Sequence, residues 1–295
     1  MTYRPDIKPL MWGPPDAVAY AVRSNFERMG IDFSRITSFW PFWEGGNLPY
    51  GTISQTPSSA FETYPLPEWH GNKLIFNSNG HGTNNDMLRL PTGAKPSTRK
   101  DGTMFFRGTI DGSDSYAASN IVLGNSAAPY SSNTGGYVIR HSATLLSFRH
   151  FSTTGFGRFV EAPRPDFGAE WSMLTDIHIE GNSLKGWLNG QPMTEGGNGF
   201  GSMSDQSFDA VFGLGSFVDY YGYWGHADLL WFHLGRIHNQ QQVAEMLHET
   251  PYMPLMPVLR PVYFDLGVTG LDAPTLTAPL NNATGVILRP EFSWT

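Results

Sequence analysis

At 295 residues the chain is long enough for one large β domain, of about 200 to 250 residues, with something smaller beside it. A charged fraction of 15%, an aromatic fraction of 14%, 33 glycines and 22 prolines are the make-up of many short strands joined by turns. A net charge of −7 with no run of Lys or Arg excludes a nucleic-acid surface, and the lack of cysteine excludes disulfides, thiolate metal sites and thiol nucleophiles.

Met1 to Pro15 holds no apolar core of signal-peptide length, and no apolar run approaches the roughly 20 residues of a membrane span. The expectation is a soluble product, made in a host cytoplasm without a signal peptide. Pro14 and Pro15 stop anything earlier, and Asp16 is placed to cap a helix over Ala17 to Met29. Val18, Val22, Phe26 and Met29 recur at helical spacing and form one apolar stripe. Such a stripe more often packs on its own domain than docks onto a partner chain. Residues 1–35 therefore read as an N-terminal arm with a short helix.

From Ser38 an aromatic cluster ends in Glu44-Gly45-Gly46. Leu74 and Phe76 then alternate with Lys73, Ile75 and Asn77, and Asp86 to Leu90 makes a short strand before a Pro-Thr-Gly stop. Gly102 to Ile110 reads as a long strand and Gly136 to Phe151 as a hairpin. The clearest signal runs from Trp171 to Met193. Ile177 and Ile179 alternate with Asp176, His178 and Glu180; Gly181-Asn182-Ser183 supplies a turn; Leu184 to Leu188 alternates again; and Asn189-Gly190 is a strong hairpin signal. This is an antiparallel meander whose apolar face needs a second sheet. Val211 to Gly215 and Tyr223 to Phe232 make the last strand pair. Asn239, as N-cap, opens a helix to His248 with Gln242 completing a capping box. Prolines then predict an extended tail, with Met253 and Leu255 among its apolar residues.

Taken in order, W-P-F-x-E-G-G from Trp40, W-x-G-x-x-L-x-F from Trp69, the D-x-L-x-L strand at Asp86 and the meander resemble the laminin-G-like (LamG), concanavalin A-like jelly-roll domains. In the meander the likeness is carried by Trp171, Leu174, Leu184, Asn189 and Gly190, and in the last pair by Gly225 and Asp228. The short helix and Pro-rich segment after the domain are similar to versions in tailed-bacteriophage virion proteins. Leu271 to Thr295, with P-T-L-x-x-P and P-x-F-x-W, resembles the first strands of a fibronectin type III or Ig-like module. The resemblance implies an all-β antiparallel sandwich over 36–250, a Pro-rich linker over 251–270 and a module fragment over 271–295.

Jelly-roll glycosidases of this family write their carboxylates as Glu-x-Asp-x-Glu on one strand, and no glutamate here has an aspartate two residues later. Asp176, His178 and Glu180 come nearest, sharing what the alternation makes a solvated outer face. The expectation is a chain without catalytic residues and not an enzyme. Some laminin-G-like domains hold calcium, for which Asp219 and Asp228 are the candidates; no other cofactor is implied. His226 and His233 lie an odd number of residues apart and so fall on opposite faces of a continuous strand. Gly196 to Gly199 reads as a flexible loop. Sugar-binding jelly rolls stack rings on Trp or Tyr with Asn and Asp at the hydroxyls, which makes Asp219, Tyr220, Tyr221, Tyr223, Trp224 and Asn198 the candidate ligand surface. Trp40, Trp171 and Trp231 suit a core instead.

The first functional expectation is a non-enzymatic virion structural protein, a capsid- or tail-associated decoration protein on the particle surface. Val18, Val22, Phe26, Met253 and Leu255 would then contact other virion proteins or further copies of the chain as a homo-oligomer. The alternative is a carbohydrate-binding lectin or adhesin for host surface glycans. A polysaccharide depolymerase comes third.

Overall fold

The structure is a computed structural model. It describes residues 15–42, 67–70, 73–77, 86, 88–89, 100–112, 120–124, 136–152, 155–200, 213–214, 223–258, 276–278 and 293–294. The chain divides into two compact units, Met1–Val258 and Leu259–Thr295.

The first unit opens with helix α1 (Pro15–Arg28), a 3-10 turn (Phe33–Arg35) and strands β1 (Ile36–Trp40), β2 (Glu68–His70), β3 (Lys73–Phe76) and β4 (Leu88–Arg89). It continues with β5 (Gly102–Thr109), β6 (Asn120–Gly124), β7 (Gly136–His141), β8 (Leu145–Ser152) and β9 (Gly155–Pro163). Then come β10 (Glu170–His178), β11 (Ser183–Leu188), β12 (Gln191–Pro192), β13 (Thr194–Gly197), β14 (Gly213–Leu214) and β15 (Gly225–Leu234). Helix α2 (Gln240–Glu249) and a 3-10 turn (Met253–Leu255) close the unit. Among the described residues one sheet runs β12-β11-β10-β5-β15-β3-β2, with β1 also paired to β15, and the other runs β13-β9-β8-β7-β6-β14-β4. Every strand pair within them is antiparallel.

The meander forms as its turns require. Asn182 adopts φ 49°, and Asn189 and Gly190 adopt φ 51° and 76°, the paired positive values of a two-residue hairpin turn. Between the sheets Met104, Phe106, Trp171, Met173, Ile177 and Phe232 meet Val122, Ile139, Leu146, Phe148 and Val160. The far face of the first sheet is apolar as well. Phe105, Leu174, Leu229 and Trp231 point there and are covered by Val22 and Phe26 of α1, Val243 and Leu247 of α2, and Tyr252 and Leu255. Phe26 stands edge-on to Trp231, with ring centroids 5.5 Å apart, and to Phe39 at 5.7 Å. The result is a sandwich with a helical layer on one sheet, and all eight residues of β5 are buried because both of its faces are covered.

This layer corrects the reading of the apolar stripe as a docking surface. Val22, Phe26 and Leu255 are fully buried within the chain, and Met253 packs against the same cluster from a half-buried position. Val18 lies in α1 and its side chain is outside the described residues. Asn25 of α1 donates from Nδ2 to the carbonyl of Met256 at 2.8 Å, and Met253–Leu255 forms a 3-10 turn, so the Pro-rich segment up to Met256 is tied down rather than an extended tail. Asn239 holds the N-cap position and its carbonyl accepts from Val243 N at 3.0 Å, but its backbone is left-handed and its side chain makes no capping bond.

Two other expectations change. The ladder between β15 and β5 shifts between Ala227 and Leu229, a bulge that puts Ala227 in the inter-sheet core and Leu229 in the helical layer. The odd-spacing argument that separated His226 from His233 does not hold across it. Gly196 and Gly197 belong to β13 and not to a loop; a Cβ on Gly196 would lie 2.2 Å from the Phe159 ring, so glycine lets that ring lie flat on the strand. Among the described residues the ends of the two sheet orders are short: β12 has 2 residues, β2 has 3, β4 has 2 and β13 has 4. In the second unit, β16 (Leu276–Ala278) pairs antiparallel with β17 (Ser293–Trp294).

Candidate functional site

Of the residues named for a ligand surface, Asp219, Tyr220 and Tyr221 lie outside the described residues. Tyr223 is a correction: it is fully buried, and its hydroxyl lies 2.6 Å from the carbonyl of Thr109 and 2.7 Å from that of His226. Burial pushes its pKa well above the ordinary tyrosine value. Asp228 is a second correction. It is buried, takes a hydrogen bond from Arg107 Nε at 3.0 Å and another from the Tyr252 hydroxyl, and so neutralises an arginine rather than offering an open face to calcium. Among the described residues no cluster of three or more His, Asp and Glu side chains is placed to hold a metal.

Trp224 and Asn198 are both exposed but are not brought together. Trp224 precedes β15 at the end of the sheet where Thr109 faces Glu170. Asn198 precedes Gly199, whose Cβ position lies 3.0 Å from Asn182, in the turn beyond His178 at the other end. An eight-residue strand separates them by roughly 25 Å.

What gathers around Trp224 is a different set. Its indole is 45% exposed and lies over Gly112, where any Cβ would come within 2.5 Å of the ring. Asp111 N donates to the Trp224 carbonyl at 2.8 Å, and on the other flank of the same segment Gly168 N donates to the Ile110 carbonyl at 2.9 Å. That second bond anchors the 164–169 loop, which joins β9 of one sheet to β10 of the other. On it Phe167 is 48% exposed, with the Arg164 guanidinium stacked 3.7 Å from its ring centroid. Arg164 is held flat by two carbonyls, Nε to Ala143 at 3.2 Å and Nη1 to Pro165 at 2.8 Å. Leu145, 38% exposed, starts the neighbouring strand opposite Pro163. Three of the four exposed large apolar side chains among the described residues thus lie at one end of the sandwich, and Asp111, next to Gly112, and Asp166, next to Phe167, are exposed as well. Two stacking rings with acceptors and a fixed guanidinium can hold the flat face and the hydroxyls of a sugar.

Trp224 is among the ligand residues expected from the sequence; Phe167 and Arg164 are not. The signal was there: in A-P-R-P-D-F-G a large aromatic stands among turn residues, where no strand alternation asks for one.

The supposed solvated face of β10 is a further correction. Asp176 is buried and accepts from Arg236 Nε at 2.9 Å, Gln240 Nε2 at 3.2 Å and Thr103 Oγ1 at 3.3 Å. Burial raises its pKa while Arg236 opposes that rise. His178 Nδ1 sits 2.8 Å from Asp101 Oδ2, and Asp101 Oδ1 accepts from Ile179 N at 2.8 Å. Glu180 is exposed. The helical layer turns what alternation marks as a wet face into an interior one.

No protein-family model and no curated protein matches the sequence. Solved structures do match in fold. A Trypanosoma rangeli sialidase in complex with 2,3-difluorosialic acid is 11% identical with a TM-score of 0.54, over 81% of this chain and 39% of that one. The same enzyme with a 2,3-difluoro-KDN ligand gives 10% identity, a TM-score of 0.53, and 80% and 39% coverage. Botulinum neurotoxin type C, whose cell entry depends on interaction with two ganglioside molecules, gives 8%, 0.50, and 74% and 51%. The chain thus spans about two fifths of the length of the sialidases. At such identities the likeness is one of fold: an antiparallel β-sandwich, as the concanavalin A-like resemblance implies. It also overturns the expectation of a non-enzyme. The structures that match include sialidases, which are enzymes, so the missing Glu-x-Asp-x-Glu pattern does not by itself make this chain a non-enzyme.

Proposed function

We propose that this chain is a carbohydrate-binding β-sandwich whose ligand surface is the rim formed by Trp224, Phe167 and Arg164. The observation that carries the reading is the Trp224 ring, half-exposed and lying so close over Gly112 that a Cβ there would come within 2.5 Å of it. A core tryptophan needs no such platform at the surface; a stacking ring does, because its face must be held open and still. The likeness to sialidase complexes and to a ganglioside-dependent toxin supports the class of ligand. The rim's charge suggests the kind: its segments carry two exposed carboxylates, Asp111 and Asp166, against the one guanidinium of Arg164, so neutral sugars suit it better than sulfated ones.

A glycan array with the full chain is the test. Binding to neutral glycans that falls at least about tenfold in Trp224→Ala and in Phe167→Ala is the expected result, in line with the loss of one stacked ring. Full binding in both variants would remove the rim from consideration. Release of sugar from sialosides and neutral polysaccharides, assayed on the same protein, asks the separate question of catalysis. Display on a phage particle rests on the sequence resemblance alone, and electron microscopy of labelled particles tests it.

A further inference from the structure

Phe200 closes the end of the sandwich opposite the rim by holding on to both sheets. Its amide donates to Asn182 Oδ1 at 3.0 Å, in the turn between β10 and β11 of the first sheet. Its ring stands edge-on to the imidazole of His150, in β8 of the second sheet, with centroids 4.9 Å apart. Both residues are buried, and Phe200 belongs to the inter-sheet core.

The ring of His150 is caged without a polar partner. The ladder between β8 and β9 shifts at this point, so that Gly157 and Arg158 both fall opposite His150. A Cβ on Gly157 would lie 2.8 Å from His150 Nδ1, so the β9 backbone closes directly on the imidazole. Tyr137 of β7 lies against it as well, with ring centroids 5.0 Å apart. Both ring nitrogens are buried and without a hydrogen-bond partner among the described residues. The charged groups on the surrounding elements offer an imidazolium nothing. On β9, Arg158 carries the same sign, and Glu161 faces Arg149 of β8 at 3.7 Å. On β7, Tyr137 keeps its proton because burial raises its pKa. Asp101, the carboxylate that acts on Tyr137, already accepts from Ile179 N and sits 2.8 Å from His178 Nδ1. Glu180 in the β10–β11 turn and Glu195 in β13 are exposed to water.

A neutral imidazole suits such a cage; an imidazolium, with a second N–H and a full charge, does not. We propose that His150 and Phe200 form an acid-released latch: uptake of a proton by the imidazole drives it out of the cage, parts Phe200 from both sheets and uncovers this end of the inter-sheet core while the rest of the fold stays closed. Such a local opening costs less than global unfolding, because it gives up one side-chain bond and two ring contacts and leaves the ladders of β5 intact. Burial takes the ring's pKa down to about 3 from the ordinary value near 6.5. Above pH 6.5 the ring is neutral whether the latch is shut or open. Below it the open form takes up a proton that the shut form refuses, and the opening equilibrium grows by about thirtyfold between pH 7.5 and 5. His141 pairs with Leu146 and His226 with Ile75, both toward the rim end, so neither takes part in the latch. Nothing in the latch requires the rim to bind sugar.

Native-state hydrogen exchange of the full chain, read residue by residue by NMR from about pH 7.5 to about pH 5 and corrected for the intrinsic pH dependence of exchange, tests the latch. The Phe200 amide reports on it, since its bond to Asn182 is part of the latch, and the amides of the buried strand β5 report on global unfolding. Exchange at Phe200 should be faster than in β5 at every pH, with an opening equilibrium that rises by about thirtyfold as the pH falls. His150→Leu should cut that rise to less than about threefold, and His141→Leu should leave it as it is. A Phe200 amide that exchanges in step with β5, a rise below about threefold in the parent chain, or a full rise in His150→Leu would overturn the proposal. Should His150→Leu not fold, the ring-proton titration of His150 in the parent and in Phe200→Ala decides instead. Loss of the Phe200 wall should move the midpoint up by at least about one pH unit, and an unmoved midpoint would overturn the latch.

Discussion

Single residues decide more here than their size suggests. Gly112 makes the Trp224 platform possible, so Gly112→Ala is expected to tilt or eject the indole and to lower glycan binding as much as Trp224→Ala, with little loss of stability. Tryptophan fluorescence with acrylamide quenching reads the tilt, and binding reads its consequence. The buried histidines act on stability instead. Burial pushes His141 and His226 down to about 4 and His150 to about 3, and both ring nitrogens of His141 and His150 lack partners among the described residues. Because the folded values lie below the unfolded one near 6.5, the unfolded chain takes up protons first. Stability is then whole above about pH 6.5 and drains as pH falls toward 4, by on the order of 3 kcal/mol per histidine. Asp176 and Asp86, with pKa values raised by burial, pull the other way but only near the carboxylate range. Thermal melts from pH 8 to 4 should show a flat region and then a steep fall. His150→Leu, which suits the pocket of Tyr137 and Phe200, should make the fall shallower.

At the scale of elements, the helical layer is held by one polar staple as well as by its apolar contacts. Arg107 of β5 bonds Asp228 of β15 at 3.0 Å and also Glu170 of β10, and Tyr252 of the closing segment donates to the same Asp228. Lys73 of β3 completes the chain to Glu170 at 2.8 Å. Four strands and the segment after α2 thus meet at two carboxylates. Asp228→Asn is expected to cost about 3 to 5 kcal/mol, since it leaves the Arg107 cation buried and short of a partner. Urea unfolding measures this; a loss under about 1 kcal/mol would mean that the staple is not needed. The meander was legible in the sequence because turn chemistry and alternation agree from Trp171 to Met193. The helical layer was not. Alternation in β10 marks Asp176 as outward, and nothing local says that α1 and α2 will lie over it. Likewise the bulge in β15 is set by its pairing with β5, so counting along one strand misplaced His226 relative to His233. The candidate rim was half legible for the same reason: Trp224 stands out in its own stretch, but Phe167 and Arg164 reach it only through a loop crossing between sheets.

For the molecule as a whole, the boundary between its units makes a prediction about truncation. A chain ending at Val258 keeps Tyr252, Leu255 and the Asn25 bond to Met256, and its melting temperature should stay within a few degrees of the parent. A chain ending at Thr250 loses all three and should melt far lower, because it uncovers Phe26 and Trp231 together with the buried Arg107. Calorimetry of the two fragments distinguishes these outcomes.

The brevity of the outermost strands bears on how such molecules tolerate each other. A strand of two or three residues offers a neighbour too few free amides and carbonyls to zip onto, and at β12 one of the two is Pro192, which has no amide hydrogen to give. Among the described residues, these short margins thus leave a neighbouring copy little backbone on which to build a shared sheet.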